Sequence, residues 1–174
     1  MKEVLGLLSS RVLIHASCVQ LAAATVPFGG YSDGAVLLLG ESGSGKSDVA
    51  LRLIAAGAKL IADDQTALFN EEGRVFAEAP AHLRGLMEIR GIGILNMDSA
   101  ARAPLVLAVQ LFDGSEVDRL PEPSVYTLPG ALQAPVNPPL LMLNAFEAST
   151  PAKIAAAAGS IARGGSIAGA LSSW

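Results

Sequence analysis

The stretch AVLLLGESGSGKSDVALRLIAAGAKLIADD, Ala35 to Asp64, decides the fold of this chain. It opens with a continuous apolar run, Ala35 to Leu39, which is typical of a strand buried on both faces. A glycine-rich loop follows, and Lys46 to Ala56 then has helical character, with Gly57 as a stop. Lys59 to Ala62 is a further short apolar strand. The order of strand, loop, helix and strand predicts an α/β domain with a central, mostly buried sheet.

The loop between the first strand and the helix, Gly40 to Ser47, reads GESGSGKS and matches the pattern G-x-x-x-x-G-K-[ST] in full. Its glycines let backbone N–H groups converge on phosphate oxygens, and the following helix directs its positive end to the same place. We expect Lys46 to neutralise the β- and γ-phosphates of a nucleotide and Ser47 to be a ligand of Mg²⁺. The predicted nucleotide-binding residues are Gly40, Glu41, Ser42, Gly43, Ser44, Gly45, Lys46 and Ser47.

Such a site also needs an acidic residue at the end of a neighbouring strand. The candidates are the pair Asp63-Asp64, Asp98 and Asp113. Asp98 is also typical of a helix cap, and Asp113 of a turn. The pair is favoured because adjacent carboxylates are costly unless positive charge, such as Lys46 with Mg²⁺, compensates them. One carboxylate could then serve the metal while the other accepts a proton from an attacking hydroxyl.

Composition limits the alternatives. The chain has 174 residues, of which 51% are hydrophobic and 16% charged, so it can bury the core of one domain and is not disordered. Its formal net charge of −4 argues against a nucleic-acid binder. A single cysteine, Cys18, excludes an internal disulfide framework. The uncharged stretch Val12 to Ser32 is interrupted by His15, Gln20 and Pro27, and we therefore expect a soluble, cytoplasmic protein.

The rest of the chain is less informative. From Pro104 to Pro139 it carries seven of its ten prolines, which favours loops and edge strands. The other predicted elements are a strand over Arg11–Ala22, a hairpin over Thr66–Ala79, a helical turn over Pro80–Met87, strands over Ile89–Met97 and Leu105–Phe112, and a helix that begins near Ser149.

Taken together, these residues resemble the catalytic domain of HPr kinase/phosphorylase, the bacterial enzyme that acts on a serine of the phosphocarrier HPr. Three features carry the resemblance: the segment Gly40–Asp64, in which an acidic pair follows the loop helix; EIRGIGILNM, Glu88–Met97, which is similar to the signature segment of the family; and His15 on the strand before the loop. The resemblance implies a fold related to that of phosphoenolpyruvate carboxykinase, ATP with Mg²⁺ as cofactors, an HPr-type phosphocarrier as partner, and a hexamer.

The resemblance also implies roles for individual residues. Asp63 would match the general base that deprotonates the target serine, and His15 would lie beside it and help to set its protonation. Asp64 and Ser47 would bind the metal ion, and Glu88 a second divalent cation. Arg90 would belong to the signature segment that supports the site. From the chemistry of the loop itself, we expect Lys46 to act in catalysis as well as binding, by stabilising the transferring group.

Two departures from the family are expected to matter. Long members carry an N-terminal domain, whereas here only about a dozen residues precede His15, so we expect a single catalytic domain over residues 1–163 and a Gly/Ala/Ser-rich tail over residues 164–174. The basic loop that the family uses for dephosphorylation corresponds to APVNPPL, Ala134–Leu140, which contains no arginine. Because inorganic phosphate needs positive charge, kinase activity is expected and phosphorylase activity is doubtful.

Other functions stay open. A small-molecule kinase would close an arginine-bearing lid, but the eight arginines of this chain are scattered. A GTP-driven switch would need N-K-x-D and D-x-x-G motifs, and neither occurs. A non-enzymatic ATP sensor is compatible with every residue named above.

Overall fold

The protein is described by a computed structural model that covers residues 10–21, 33–114 and 118–164. The strands are β1 (Val12–His15), β2 (Ser17–Leu21), β3 (Gly34–Leu39), β4 (Lys59–Ala62), β5 (Gln65–Glu71), β6 (Arg74–Glu78), β7 (Leu86–Ile89), β8 (Gly93–Asn96), β9 (Arg102–Phe112) and β10 (Leu140–Asn144). The helices are α1 (Lys46–Ala55) and α2 (Thr150–Ala162), and short 3-10 helices span Ala81–Leu83 and Gly130–Leu132.

An eight-stranded sheet in the order β1-β5-β6-β9-β3-β2-β4, with β10 paired to β9, forms the centre of the fold. The long strand β9 joins its two halves. The beginning of β9 pairs antiparallel with β6, and the remainder pairs in parallel with β3 and with β10. The carboxyl ends of β3, β9 and β10 therefore lie at one edge of the sheet. A separate antiparallel hairpin is formed by β7 and β8.

Both faces of β3 are buried, because alternate side chains enter different parts of the core. Val36 and Leu38 pack in one cluster with side chains of α1 and α2. Ala35 and Leu37 pack in the other cluster with side chains of β5 and β6. The buried apolar run that the sequence indicates is thus confirmed, and its burial fixes the start of the glycine-rich loop.

Two neighbouring kinks separate the halves of the sheet. One lies at Ala16, between β1 and β2, and the other at Asp63-Asp64, between β4 and β5. The kinks are tied together, since the N–H of Ala16 donates to the carbonyl of Asp64 at 3.1 Å and the hydroxyl of Thr66 donates to the carbonyl of Ala16 at 2.8 Å. The acidic pair is therefore held where the sheet bends.

Most predicted elements are confirmed, among them β3, α1, β4, the β5–β6 hairpin and α2. The single strand over Arg11–Ala22 is wrong, because the kink at Ala16 divides it. The strand over Ile89–Met97 is also wrong at its start, since the chain turns after Ile89 and the strand begins at Gly93. The helical turn predicted over Pro80–Met87 is confined to Ala81–Leu83.

Strand β10 lies just after the proline-rich stretch and was not predicted. Residues 165–174 of the predicted tail lie outside the described residues. Within the described part of the chain, neither helix has the length and apolar character needed to cross a membrane.

Candidate active site

The glycine-rich loop connects β3 to α1 at the edge where the parallel strands end. Gly43 and Gly45 have φ angles of 84° and 93°, a left-handed conformation that favours glycine. A Cβ atom on Gly45 would lie 2.7 Å from the Cβ of Ala145, so a larger residue would also collide with the segment after β10. The loop is thus shaped both by backbone conformation and by close packing.

Lys46 begins α1 and folds back over the loop. Its Nζ donates to the carbonyl oxygens of Gly40 and Glu41, each at 2.8 Å, and the residue is only 6% exposed. Burial lowers the pKa of Lys46, and the carboxylates of Asp64 and Asp63 oppose that shift. Two backbone carbonyl groups of the loop therefore hold the ammonium group in the cleft.

Asp63 points into the protein, towards α1. It is 7% exposed, and its Oδ1 accepts hydrogen bonds from the hydroxyls of Ser47 and Ser17, both at 2.8 Å. Its Oδ2 accepts from the backbone N–H of Glu88 at 3.2 Å. Asp63 thereby connects the loop helix, strand β2 and the β7–β8 hairpin, and it orients the Ser47 hydroxyl.

Asp64 points the other way, into solvent. Its φ of 65° belongs to the left-handed region, which aspartate tolerates better than most residues. Its side chain is 67% exposed, and Oδ1 lies 3.1 Å from Nδ1 of His15. His15 was expected beside Asp63, but in the structure it contacts Asp64. The physical reason is the kink between β4 and β5, at which the side chain of Asp63 turns to Ser47 and that of Asp64 turns to His15.

The β7–β8 hairpin forms the opposite wall of the site. Met87 is buried and packs in the cluster under α1, which anchors the hairpin to the loop helix. The neighbouring residues Glu88 and Arg90 are exposed and face the cleft. The hairpin is therefore held in place by Met87, by the partly buried Ile89 and by the hydrogen bond from the Glu88 N–H to Asp63.

A cleft of about 730 Å³ brings these groups together. Of the predicted site residues it is lined by His15, Ser42, Gly43, Gly45, Lys46, Ser47, Asp63, Asp64, Glu88 and Arg90. The predicted loop residues Glu41 and Ser44 instead line a smaller cleft together with Asp113. Asp98 is exposed and pairs with Lys59 at 3.5 Å. Of the acidic candidates, only the pair Asp63-Asp64 lies in the large cleft.

The donor set suits magnesium. The Ser47 hydroxyl and the nearby carboxylates are hard oxygen donors, and Mg²⁺ is commonly held by one or two carboxylates together with phosphate oxygens. Among the described residues, no group of three or more His, Cys, Asp or Glu side chains could hold a metal ion by itself. A site completed by the phosphates of a nucleotide fits both observations.

Three further residues belong to the site and were not predicted. Ser17 is fully buried and donates a hydrogen bond to Asp63, and its position two residues after His15 in a mainly apolar stretch is the signal that could have found it. His82 and Phe146 line the cleft. Nothing in the surrounding sequence marks either of them, because the tertiary fold brings them there.

This chain is similar to known proteins of one family. Residues 8–104 match the family model described as HPr Serine kinase C-terminal domain. An HPr kinase/phosphorylase of Latilactobacillus sakei is 51% identical over 63 residues, which cover 36% of this chain and 20% of the relative. One of Caldicellulosiruptor bescii is 36% identical over 124 residues, which cover 65% and 37%. The chain thus spans well under half the length of these relatives.

Among solved structures, the Hpr(Ser) kinase/phosphatase from Coxiella burnetii matches with a TM-score of 0.65 and 22% sequence identity. The match covers 83% of this chain and 86% of that one. At this identity the likeness shows a shared fold, a mixed α/β domain with a central sheet.

Proposed function

Because the chain belongs to the family of the HPr serine kinase C-terminal domain, we propose that it transfers the γ-phosphoryl group of ATP to a serine hydroxyl of an HPr-type phosphocarrier. The observation that carries the proposal is the content of one cleft, in which a phosphate-binding loop with Lys46 faces the pair Asp64 and His15. A cation for the nucleotide and a base for the acceptor are the groups that such a transfer needs.

We assign the base to Asp64 and not to Asp63, which exchanges the roles expected from the sequence. Asp64 is open to the cleft, so an incoming serine hydroxyl can reach it. Asp63 is buried and already accepts bonds from Ser47, Ser17 and Glu88. A base needs access to the proton that it removes. His15 contacts Asp64 at 3.1 Å and would position its carboxylate.

In the proposed reaction, the serine oxygen gives its proton to Asp64 and forms a bond to the γ-phosphorus, while the bond to the β-phosphate oxygen breaks and ADP leaves. Lys46 and the backbone amides of the loop stabilise the charge that spreads over the transferring group. Mg²⁺, when bound, would be held by Ser47 and would neutralise phosphate charge. Asp63 orients Ser47 for that task, and Glu88 offers a further carboxylate at the cleft wall.

We propose that the kinase direction dominates. The segment Ala134–Leu140 carries no arginine, and none of its residues lines the cleft in the part of the chain that the structure describes. Among the described residues that line the cleft, Arg90 is the one arginine, and it would add its positive charge to that of Lys46 beside the transferred phosphate.

We further propose that the protein acts in the cytoplasm, where its ATP and acceptor are found. We also propose that it is a homo-oligomer, and light scattering that gives a single-chain mass would refute this second proposal.

The deciding experiment is transfer of label from γ-labelled ATP to purified HPr-type phosphocarriers. We expect serine-linked label with the wild type and a loss of two or more orders of magnitude with Asp64→Asn, about the contribution of a general base. Asp64→Asn should still bind Mg-ATP. Absence of label on every carrier, despite tight Mg-ATP binding, would refute the kinase proposal in favour of a small-molecule kinase or an ATP sensor. Full activity of Asp64→Asn would refute the assignment of the base.

A further inference from the structure

An aromatic side chain stands at the mouth of the phosphate-binding loop without a role in the reaction proposed above. Phe146 follows β10 and is 56% exposed, although it lines the large cleft. Its ring edge lies against the loop, since a Cβ atom built on Gly45 would be 3.5 Å from Phe146 Cζ and 3.6 Å from Cε1. An aromatic ring exposed at this position offers apolar surface to whatever enters the loop.

The position of Phe146 follows from the topology. Strands β3, β9 and β10 are parallel, so the segment after β10 and the loop after β3 meet at the same edge of the sheet. In open α/β sheets, ligands bind in the crevice beyond the carboxyl ends of the strands. A nucleotide whose phosphates lie on the loop must extend its ribose and base along this edge.

The segment that carries Phe146 is fixed. Arg52 of the loop helix α1 donates to the carbonyl oxygens of Ala145 and of Glu147, the latter at 3.0 Å, and also pairs with Asp48 at 2.9 Å. The N–H of Phe146 donates to Oδ1 of Asn144 at 2.8 Å. Arg52 therefore connects the backbone on both sides of the ring to helix α1, which directly follows the glycine-rich loop. These bonds fix the position of the ring relative to the loop.

We propose that Phe146 is the platform on which the base of the bound nucleotide stacks. The inference rests on the proposed nucleotide binding and adds the contact that distinguishes a nucleotide from a bare phosphate chain. Stacking on a phenyl ring uses the π-face that every base has, and it needs no hydrogen bond. The contact therefore adds affinity for nucleotides while leaving the choice between adenine and guanine to other groups. A cleft of about 730 Å³ lies in the size range of small-molecule sites.

The smaller cleft on the other side of the loop is a poor alternative for the base. Its lining also includes an aromatic residue, Phe112, but Lys46 and Ser47 line the large cleft and not this one. The large cleft instead combines Lys46, the amides of the loop and the ring of Phe146.

The test compares Mg-ATP with inorganic triphosphate in the presence of Mg²⁺, by titration calorimetry on the full chain. We expect Phe146→Ala to bind ATP about tenfold or more weakly and triphosphate unchanged, because only ATP has a base to stack. Phe146→Tyr should restore the affinity for ATP. Met142→Ala is the matched control: it removes an exposed apolar side chain from β10 that lies outside the cleft lining, and should change neither affinity.

Several results would overturn the inference. An unchanged affinity of Phe146→Ala for ATP would exclude stacking, and an equal loss for ATP and triphosphate would show that Phe146 only shapes the loop. A raised KM for the phosphocarrier with intact ATP binding would place a partner protein on the ring instead. A wild type that binds triphosphate as tightly as ATP would refute the stacking alone. A wild type that binds neither would refute the proposed function together with the inference.

Discussion

The buried carboxylate of Asp63 should be worth more to stability than its exposed neighbour. In Asp63→Ala, the Ser17 hydroxyl would lose its acceptor in a fully buried position, and the N–H of Glu88 would lose another. A buried donor left without a partner costs about 1–3 kcal/mol. The Ser47 hydroxyl faces the cleft and can turn to water, so we add little for it. The N–H of Glu88 is only part-buried and adds less than the Ser17 hydroxyl, so we expect a total loss of about 2–3 kcal/mol in the free energy of unfolding.

Urea unfolding followed by circular dichroism measures this loss. With a slope of about 2 kcal/mol per molar urea, the midpoint should fall by roughly 1 M. The double variant Ser17→Ala/Asp63→Ala also removes the hydroxyl that Asp63→Ala leaves without an acceptor. Its loss of stability should therefore be about 1 kcal/mol smaller than the sum of the losses of the two single variants. Asp64→Asn breaks only an exposed contact to His15 and should cost at most about 1 kcal/mol. Strict additivity, or an equal cost for Asp64→Asn, would refute the division of the pair into a buried carboxylate that stabilises the fold and an exposed one that contributes little to stability.

Three other outcomes follow from the structure. Met87→Ala should destabilise the protein by about 2–5 kcal/mol, because Met87 is 1% exposed and anchors the β7–β8 hairpin; an unfolding midpoint like that of the wild type would show that the hairpin is held by other contacts. Cys18 is fully buried and burial raises its pKa, so a thiol reagent should label it only in denaturant, and rapid labelling of the native protein would contradict its place in the core. Burial lowers the pKa of Lys46 in the free protein, so its charge is lost as the pH rises through that lowered value. The affinity for triphosphate, measured by calorimetry from neutral to alkaline pH, should therefore start to fall below the ordinary lysine pKa of 10.5. An affinity that is constant up to that pH would refute this expectation.

The sequence predicts those parts of the fold in which local pattern and tertiary burial agree. The run Ala35–Leu39 is apolar throughout and is buried on both faces, and Gly57 ends the helix where it was expected. The hairpin over Thr66–Ala79 also has a turn at the residues that favour one. In each case the side chains near in sequence are sufficient to determine the element.

The missed elements depend on contacts that are distant in sequence. Strand β10 follows a proline-rich stretch and forms by pairing with β9, more than two dozen residues earlier. The turn after Ile89 is set by Gly91 and Gly93, both at positive φ, in a segment whose exposed isoleucines imitate a buried strand. Apolar pattern indicates burial, and here the side chains of Ile92 and Ile94 remain at the surface.

The candidate site shows the same limit. Sequence located the loop, the acidic pair and His15, because each has a recognisable residue type in a recognisable place. It could not distinguish Asp63 from Asp64, since adjacent residues share the same neighbours in sequence. Only the kink between β4 and β5 shows that one carboxylate turns to Ser47 and the other to His15.

The continuous strand β9 also restricts how the protein can move. Because it pairs with β6 at one end and with β3 and β10 along the rest, it crosses the boundary that the kinks at Ala16 and Asp63-Asp64 mark. A bending motion between the two halves of the sheet would have to break backbone hydrogen bonds of β9, so we expect the two halves to keep their relative orientation. We therefore expect any change in the width of the cleft to come from the β7–β8 hairpin, which pairs with no strand of the main sheet among the described residues. A change in the width of the cleft would then have to disturb the packing of Met87 or the hydrogen bond from the Glu88 N–H to Asp63.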